Sequence, residues 1–502
     1  MTGTAPLVVV GGGISGLATA WHLSRSLPGR RVVVLEQRGR TGGVLRREVL
    51  PAGPGVPTGV RVDTGAESLL ARRPEALDLI RDLGLDADLV HPRTSRAGVV
   101  SRGAVHPMPA GTLMGVPSDV AGLAGLLTDD ELRRAAAEPA RPAPVDGEDV
   151  AVGAWVADRL GRAVVDRLVE PLLGGVYAGH ADRLSLRSCV PALWPAARDG
   201  TSLVAAAAAA VAAQGSRGTA AGDASPGLGP GTSPSAPVVA GPPSAPVFAG
   251  LRGGVSRLAE ELTRRLQVDG VRVRTGVCVQ ALRRTAAGWE LRLGPDLTDG
   301  HARVEVLAAA AVVLAVPAPA AARLLTAVAP EAARLLSGVT TASTAIVTVA
   351  VDADALADID LSGLLVPPVE GRAVKALTLS SSKWTWMAQQ APGLAVMRMS
   401  VGRAGEERSL HRDDDALVRL AVDDAAALLD RRLVVRSGLV TRWGGALPQY
   451  EVGHADLVGA ALADVASVGA LACAGSAYRG VGVPACLESA ALAAAAVTAS
   501  VA

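Results

Sequence analysis

Six residues near the start of the chain, Gly11-Gly12-Gly13-Ile14-Ser15-Gly16, carry the chemistry most readable from residue type and spacing. They satisfy G-x-G-x-x-G directly after the apolar run Leu7–Val10 and at the head of a helical pattern over about Ile14–Ser26. Gly11 permits a tight turn, Gly13 lets backbone approach a pyrophosphate, and Gly16 lets helix and sheet pack closely, while the helix start offers oriented N–H groups to the phosphates. A second apolar run, Val32–Glu36, ends on Glu36 with Gln37 beside it, where a carboxylate can accept hydrogen bonds from ribose hydroxyls. A glycine turn that binds nothing would also join a strand to a helix, but it would not call for an acidic residue at the end of the next strand. The combination predicts a bound dinucleotide.

Arg40-Thr41-Gly42-Gly43 bears on which dinucleotide. An NAD site has no use for a second glycine pair there. A segment folding back across FAD needs glycines for close backbone contact and an Arg for a charge-assisted bond to phosphate or flavin-side groups. In isolation the same residues would also suit a surface turn. No Ser-His-Asp set, close carboxylate pair or zinc motif accompanies them. Cys189, Cys278, Cys473 and Cys486 lie far apart without a C-x-x-C pair, which predicts reduced thiols and no metal.

The elements that must position these residues begin with a βαβ opening of ordinary length: strand Leu7–Val10, glycine turn, helix, strand Val32–Glu36. From Pro117 to about Ala213 apolar residues recur at three- and four-residue steps, most clearly over Val150–Leu173, so a helical region is expected after the Pro-rich break Pro139–Pro144. Residues 214–247 are almost all Gly, Ala, Ser, Pro, Thr and Val without periodicity, the composition of a flexible insertion. Beyond them follow a helix near Ser256–Leu266 and short strands around Val271–Val273, Val277–Leu282, Trp289–Leu293 and Val312–Val316. Alternating strands and a helix occupy 340–435, and a last strand, Ala470–Ala474, leads into an Ala-rich C-terminal helix.

Composition narrows the classes further. The chain has 502 residues, 49% of them hydrophobic, which is ample for two or three domains. Its 49 Lys+Arg nearly cancel 48 Asp+Glu, so no global field recruits nucleic acid or an anionic membrane. No basic, apolar leader precedes the first strand, and Val306–Leu325, the longest apolar candidate for a membrane span, is interrupted by Pro317, Pro319 and Arg323. A cytoplasmic protein without a transmembrane segment is expected.

Several blocks across the length then resemble one family. They are 63–72 (DTGAESLLAR), 106–109 (HPMP), 170–179 (EPLLGGVYAG), Arg442-Trp443 with 448–454 (PQYEVGH), and 475–484 (GSAYRGVGVP). Together they are similar to the oxygen-dependent protoporphyrinogen/coproporphyrinogen oxidases within the amine-oxidase-like flavoproteins. The resemblance implies an α/β plus α+β fold: a Rossmann-like FAD-binding domain, a mixed-sheet substrate domain and a helical subdomain. The expected boundaries are 1–70, 251–320 and 436–502 for the FAD domain, 71–116 and 321–435 for the substrate domain, 117–213 for the helical subdomain and 214–250 for the insertion.

The resemblance also implies non-covalent FAD, with Gly65, Ala66, Glu67 and Ser68 near the flavin ring, Val277 on the adenine side, Trp443 flanking the isoalloxazine, and Val481, Gly482, Val483 and Pro484 at the pyrimidine end. Gly480 and Gly482 before a helix start would suit negative charge on reduced flavin. The chain departs from the family at Ala66, where proline is usual. The implied reaction is oxidation of coproporphyrinogen III to coproporphyrin III, with O2 reduced to H2O2; protoporphyrinogen IX is the alternative substrate, and a haem-pathway ferrochelatase the candidate recipient of product. Flavin would do the redox step while the protein positions an anionic macrocycle, so no catalytic residue beyond the flavin is expected. Arg72, Arg73, Arg96, Arg102 and Lys383 are candidates for the propionates, though a solvated surface charge is the more ordinary reading of each. Charged residues in 158–167 leave room only for a weak peripheral membrane contact. An amine oxidase would want an aromatic cage, against one Phe and three Tyr here; a non-catalytic FAD-binding regulator would show no turnover with oxygen. Deleting 217–244 should shift the melting temperature and activity little, because a segment that buries little contributes little; thermal melts and turnover of the deletion check this.

Overall fold

The computed structural model describes residues 5–51, 53, 55–56, 59–138, 143–219, 246–295 and 305–501. Its glycine turn leaves the middle strand of a five-stranded parallel sheet ordered Arg272–Arg274, Val32–Leu35, Leu7–Val10, Ala311–Leu314, Leu471–Cys473. The first, second and fourth strands in chain order are four-residue apolar runs buried throughout, the pattern of parallel strands covered on both faces. On one face Leu7, Val9, Val32 and Val34 pack with the helices Ile14–Ser26, Arg257–Val268 and Val483–Val501. On the other, Val8, Val10, Val33 and Leu35 pack under the antiparallel hairpin Val277–Thr285/Gly288–Pro295 and the helices Ala318–Leu325, Pro330–Ser337 and His454–Val468. The order in which the chain adds strands switches sides at Leu7–Val10, so the carboxyl end of that strand, where Gly11 sits, opens on the crevice that open α/β sheets use for ligands.

A second sheet of seven strands runs in the order Val435–Pro448, Thr341–Asp352, Leu394–Val401, Val374–Thr378, Gly363–Leu365, Ala97–Ser101, Ala104–Pro107. All its pairs are antiparallel except Gly363–Leu365 with Ala97–Ser101. One expected boundary is corrected here. Val435–Pro448 pairs along its length with Thr341–Asp352, so the stretch assigned to the FAD domain from 436 starts as an outer strand of this other sheet. The 14-residue strand runs through the expected boundary, and its Trp443 indole donates to Thr64 O of the loop 63–68.

The helical region surrounds a core of Val152, Trp155, Leu168, Leu173 and Tyr177. A π-turn, Val165–Val169, interrupts it just before the helix Glu170–Tyr177. Pro171 lacks the N–H that would bond to the carbonyl four residues back, which accounts for the local widening. The 214–250 insertion is shorter than expected at both edges: the Ala-rich helix Leu203–Thr219 runs into it, and Phe248–Leu251 is a strand paired with Leu69–Leu70 and Leu89–Val90. Alanine's helix propensity accounts for the first edge. Residues 220–245, most of that expectation, lie outside the described residues. The 306–325 stretch resolves into strand, strand and helix. Among the described residues, the helix long and apolar enough to cross a membrane is instead Val483–Val501, and it buries Val483, Leu487, Ala490 and Val497 in the core.

Helical region and large sheet are tied at His180. Its Nδ1 lies 3.2 Å from a Glu170 carboxylate oxygen and its Nε2 3.1 Å from the Ala404 carbonyl, while Ala404 N–H donates to Ala178 O at 2.7 Å. Both ring nitrogens face acceptors, so the imidazolium satisfies the site and the neutral ring does not. The Glu170 hydrogen bond accordingly raises the His180 pKa above its ordinary 6.5, against the opposing effect of burial. Stability from this group is fully present below pH 6.5 and fades as pH rises through the raised folded value. The melting-temperature gap between wild type and His180→Gln should therefore be wider at pH 5.5 than at pH 8.5, as read by circular dichroism.

Candidate active site

The glycines of the first turn divide by what surrounds them. A Cβ on Gly11 would lie 2.2 Å from Ala315 O, and one on Gly16 only 1.8 Å from Gly11 O, so both are demanded by packing. A Cβ on Gly13 would meet nothing nearer than Gly43 Cα at 3.9 Å: this glycine faces open space in front of the first helix. Gly12 N–H donates to a Glu36 carboxylate oxygen at 2.6 Å, and Arg38 N–H to the other at 2.8 Å. Glu36 thus stands at the lip of the turn, with Ile14 and Ser15 buried at the helix start and Gln37 exposed.

The second glycine pair does fold back onto the first. Gly42 N–H donates to Gly12 O at 2.8 Å, and Gly42 and Gly43 have φ of +96° and +58°. A Cβ on Gly43 would lie 3.1 Å from Gly13 Cα. Arg40 spans its own loop, donating to Thr41 O and Gly43 O, and burial pulls its pKa down. On the far side Val277 N–H donates to Glu36 O at 2.9 Å, and Pro295, opposite in the hairpin, has no N–H to offer it.

A second helix start converges on the first. The run to the C-terminal helix turns through Gly475 and Gly480, with φ of +137° and +133°. Gly480 N–H donates to the Tyr450 hydroxyl at 2.7 Å, and that hydroxyl donates to Ser476 O at 2.5 Å. Tyr450 stacks on His454 at 4.0 Å and lies 5.4 Å from Tyr177, centroid to centroid. His454, whose Nε2 lies 2.9 Å from Ala477 O, is therefore structural. The buried Cys486 thiol, its pKa pushed up to about 11 by burial, hydrogen-bonds with Ser15, so the first turns of both helices touch. Val483 and Pro484 are buried, while Val481 and Gly482 remain partly or fully open. Two N-termini aimed at one region make it hospitable to negative charge.

Residues 63–68 form the third wall, and nearly every one is held. Asp63, fully buried with its pKa pushed up to about 6 by burial, accepts from Val255 N–H, Ser256 N–H and the Ser256 hydroxyl. Thr64 O accepts from the Trp443 indole at 2.7 Å, and Gly65 O from Arg398 at 2.6 Å. A Cβ on Gly65 would lie 1.8 Å from Val44 O. Glu67 pairs with Arg398 and accepts from Trp384 Nε1 at 2.6 Å; Ser68 Oγ accepts from Lys383 Nζ at 3.3 Å. Burial alone would push Glu67 up. The charges of Arg398 and Lys383, with hydrogen bonds from Arg398 and Trp384, hold it below the usual carboxylate range.

Of the candidate cations, Lys383 sits at this wall, 5.7 Å over the Phe248 ring, and Arg72 is exposed just beyond Leu69–Leu70. Arg73 is engaged by Glu75 and by Glu488 of the C-terminal helix. Arg96, 70% exposed, pairs with Asp360. Arg102 occupies the hairpin turn after Ala97–Ser101 at φ +52° and is clamped by Glu131. Neither of the last two joins the wall. Trp384 is expected from sequence only as the neighbour of Lys383 on the active-site side, and Arg398 and Tyr450 were not anticipated as site residues. A charge inside the otherwise apolar strand Leu394–Val401 was the available signal for Arg398.

The family model described as flavin containing amine oxidoreductase matches residues 14–498. The chain is 38% identical over 484 residues to the coproporphyrinogen III oxidase of Mycobacterium tuberculosis, covering 96% of this chain and 95% of the relative. It is 26% identical to the Bacillus subtilis coproporphyrinogen III oxidase, over 97% and 96%. A crystal structure from Exiguobacterium sp. 255-15 bearing the name protoporphyrinogen oxidase superposes with a TM-score of 0.79 at 29% identity, covering 99% of each chain.

The glycine environments separate two outcomes. Gly13→Val should fold, with wild-type circular dichroism, yet purify without the visible absorption of flavin, because its side chain occupies only the open space in front of the helix. Gly16→Val should fail to fold, because its side chain meets backbone.

Proposed function

The chain belongs to the flavin containing amine oxidoreductases, grouping with the porphyrinogen oxidases among them, and on that premise we propose that it is an FAD-dependent, oxygen-dependent coproporphyrinogen III oxidase. The observation carrying this reading is the similarity along 96% of the chain to enzymes of that name. The site residues fit a non-covalently held flavin dinucleotide: Gly13 opens on space a pyrophosphate would fill, two helix starts converge, and Glu36 ends its strand at ribose distance from the turn. In this reading 1–70, 251–320 and the chain after Pro448 build the FAD domain, and the seven-stranded sheet builds the substrate domain.

Bound flavin supplies a two-electron acceptor that molecular oxygen restores. Conversion of the porphyrinogen removes six electrons and six protons, so three O2 become three H2O2. The chain's own residues bind and orient. Backbone N–H groups of 481–483 would stabilise negative charge at the pyrimidine end of a bound flavin and the Val277 backbone would meet the adenine, while Trp443 holds Thr64 and Gly65 on the ring side. Protons from the pyrrole N–H groups pass to water. Lys383 and Arg72 meet propionates at the cavity rim, and product passes to a metal-inserting enzyme.

A second reading, protoporphyrinogen IX as substrate, is favoured by the Exiguobacterium neighbour and by 30% identity to the protoporphyrinogen oxidase of Macaca fascicularis. The two substrates differ in carrying four propionates or two, so rim cations decide between them. Arg73 already has two carboxylate partners and should matter little, a change under about threefold for Arg73→Ala, which is below 1 kcal/mol. Arg72→Ala should lower kcat/KM for coproporphyrinogen III by about ten- to a hundredfold, the loss of one charge-assisted bond worth ~1.5–3 kcal/mol, with a smaller effect on protoporphyrinogen. Aerobic assays following porphyrin fluorescence with both substrates test this, and a wild-type preference for protoporphyrinogen would overturn the assignment.

A further inference from the structure

Arg398 lies on Leu394–Val401, an interior strand of the seven-stranded sheet between Thr341–Asp352 and Val374–Thr378. Its neighbours Val396, Met397, Met399 and Val401 are fully buried. The guanidinium reaches out of that sheet into the 63–68 wall, where one nitrogen binds Gly65 O at 2.6 Å and another pairs with Glu67. Both charged side chains are only 9% exposed. The same carboxylate accepts from Trp384 on its other oxygen, and Lys383 stands on the next residue, Ser68. A charge pair taken from water at this depth is sustained by its partners, and those of the Arg398 terminal nitrogens both lie on one short loop, while its Nε is buried without a partner among the described residues.

Resting on the reading that Gly65–Ser68 faces the flavin, we propose that Arg398 is a positioning residue for the reaction: it transmits the position of the substrate-side sheet to the flavin-side loop and holds Gly65 and Glu67 at a fixed place beside the reacting ring. The geometry favours Arg over Lys there, because a planar fork can serve a carbonyl and a carboxylate at once, whereas an ammonium is a point charge. Glu67 and Trp384 complete the clamp. None of the three needs to touch substrate. Without Arg398 the Glu67 carboxylate keeps its burial and loses its main charge partner, leaving Lys383; Asp63, which also feels the Arg398 charge, loses it too, so both carboxylates take up protons at higher pH than in wild type.

The test uses the flavin-loaded full chain with coproporphyrinogen III. Arg398→Gln should lower kcat at least tenfold with KM changed less than threefold, shift the visible flavin bands, and move the acid limb of kcat to higher pH than in wild type. Arg398→Lys should recover part of kcat. Because Arg398→Gln leaves a buried charge unpaired and could fail to fold, the charge-neutral double variant Arg398→Met with Glu67→Gln is measured alongside; it should keep flavin and fold while losing kcat to the same extent. Ala66→Val reports directly on whether the loop faces the flavin. If Ala66→Val moves the flavin bands while the folded Arg398 variants change only melting temperature, the proposal is overturned and the loop reading stands. If neither moves the bands, both are overturned.

Discussion

Glu67 and Arg398 meet where an interior strand of the seven-stranded sheet meets the loop 63–68, and each charge is tolerable at that depth only because the other is there. A lone buried carboxylate or guanidinium would cost several kcal/mol in desolvation and would lose its proton, take one up, or pull in water. Paired, and with Trp384 and Gly65 O bonded as well, they form a fixed post between elements distant in sequence, although Arg398 Nε is buried without a partner among the described residues. Asp63 does the same at the other end of the loop, capping the entry to Arg257–Val268. Trp443 closes the set from the outer strand. The loop 63–68 consequently has little freedom, which suits a wall whose task is to hold a ring at a reacting distance.

Opposite that wall the constraint is steric rather than electrostatic. Gly11 and Gly16 are required because backbone oxygens occupy the places their side chains would take, and Gly42 and Gly43 because the second loop lies on the first. What remains between them is the opening at Gly13 and the N–H groups of two helix starts. A site built this way recognises phosphate through backbone geometry and needs few charged side chains, in keeping with a chain whose net charge is +1.

Much of this was legible from sequence, and the reason is locality. The turn Gly11–Gly16, the carboxylate at Glu36 and the second glycine pair act within about thirty residues, and residue type and spacing describe them fully. The parallel strands were legible because continuous apolar runs have few other uses. What escaped detection depended on distance. That Arg73 is neutralised by Glu488, that Tyr450 holds Gly480, and that Arg398 holds Gly65 are pairings across thirty to more than four hundred residues, which no local pattern encodes. The misplaced boundary at 436 has the same origin: Val435–Pro448 reads locally as a strand, but only its partner, Thr341–Asp352, says to which sheet it belongs.

That distinction bears on how selectivity for a substrate can arise here. An arginine-rich surface offers many cations, and most are answered by the fold itself: Arg96 by Asp360, Arg102 by Glu131, Arg162 by Asp166 and Asp182. A cation already paired gains little from a propionate, since the new bond is bought by breaking an old one. Recognition of an anionic macrocycle is therefore concentrated where the folded chain leaves positive charge beside the flavin wall. Lys383 illustrates the condition. Burial lowers its pKa, Glu67 opposes that loss, and its ammonium rests between the Phe248 and Trp384 rings with Ser68 Oγ as its hydrogen-bond acceptor. An arriving carboxylate would add the stronger partner this ammonium lacks, at the edge of the loop that positions the ring. On the proposed reading, binding the substrate's charge and holding the flavin's surroundings thus fall to adjacent residues of a single segment, Lys383 and Trp384, which the position of Glu67 keeps in register.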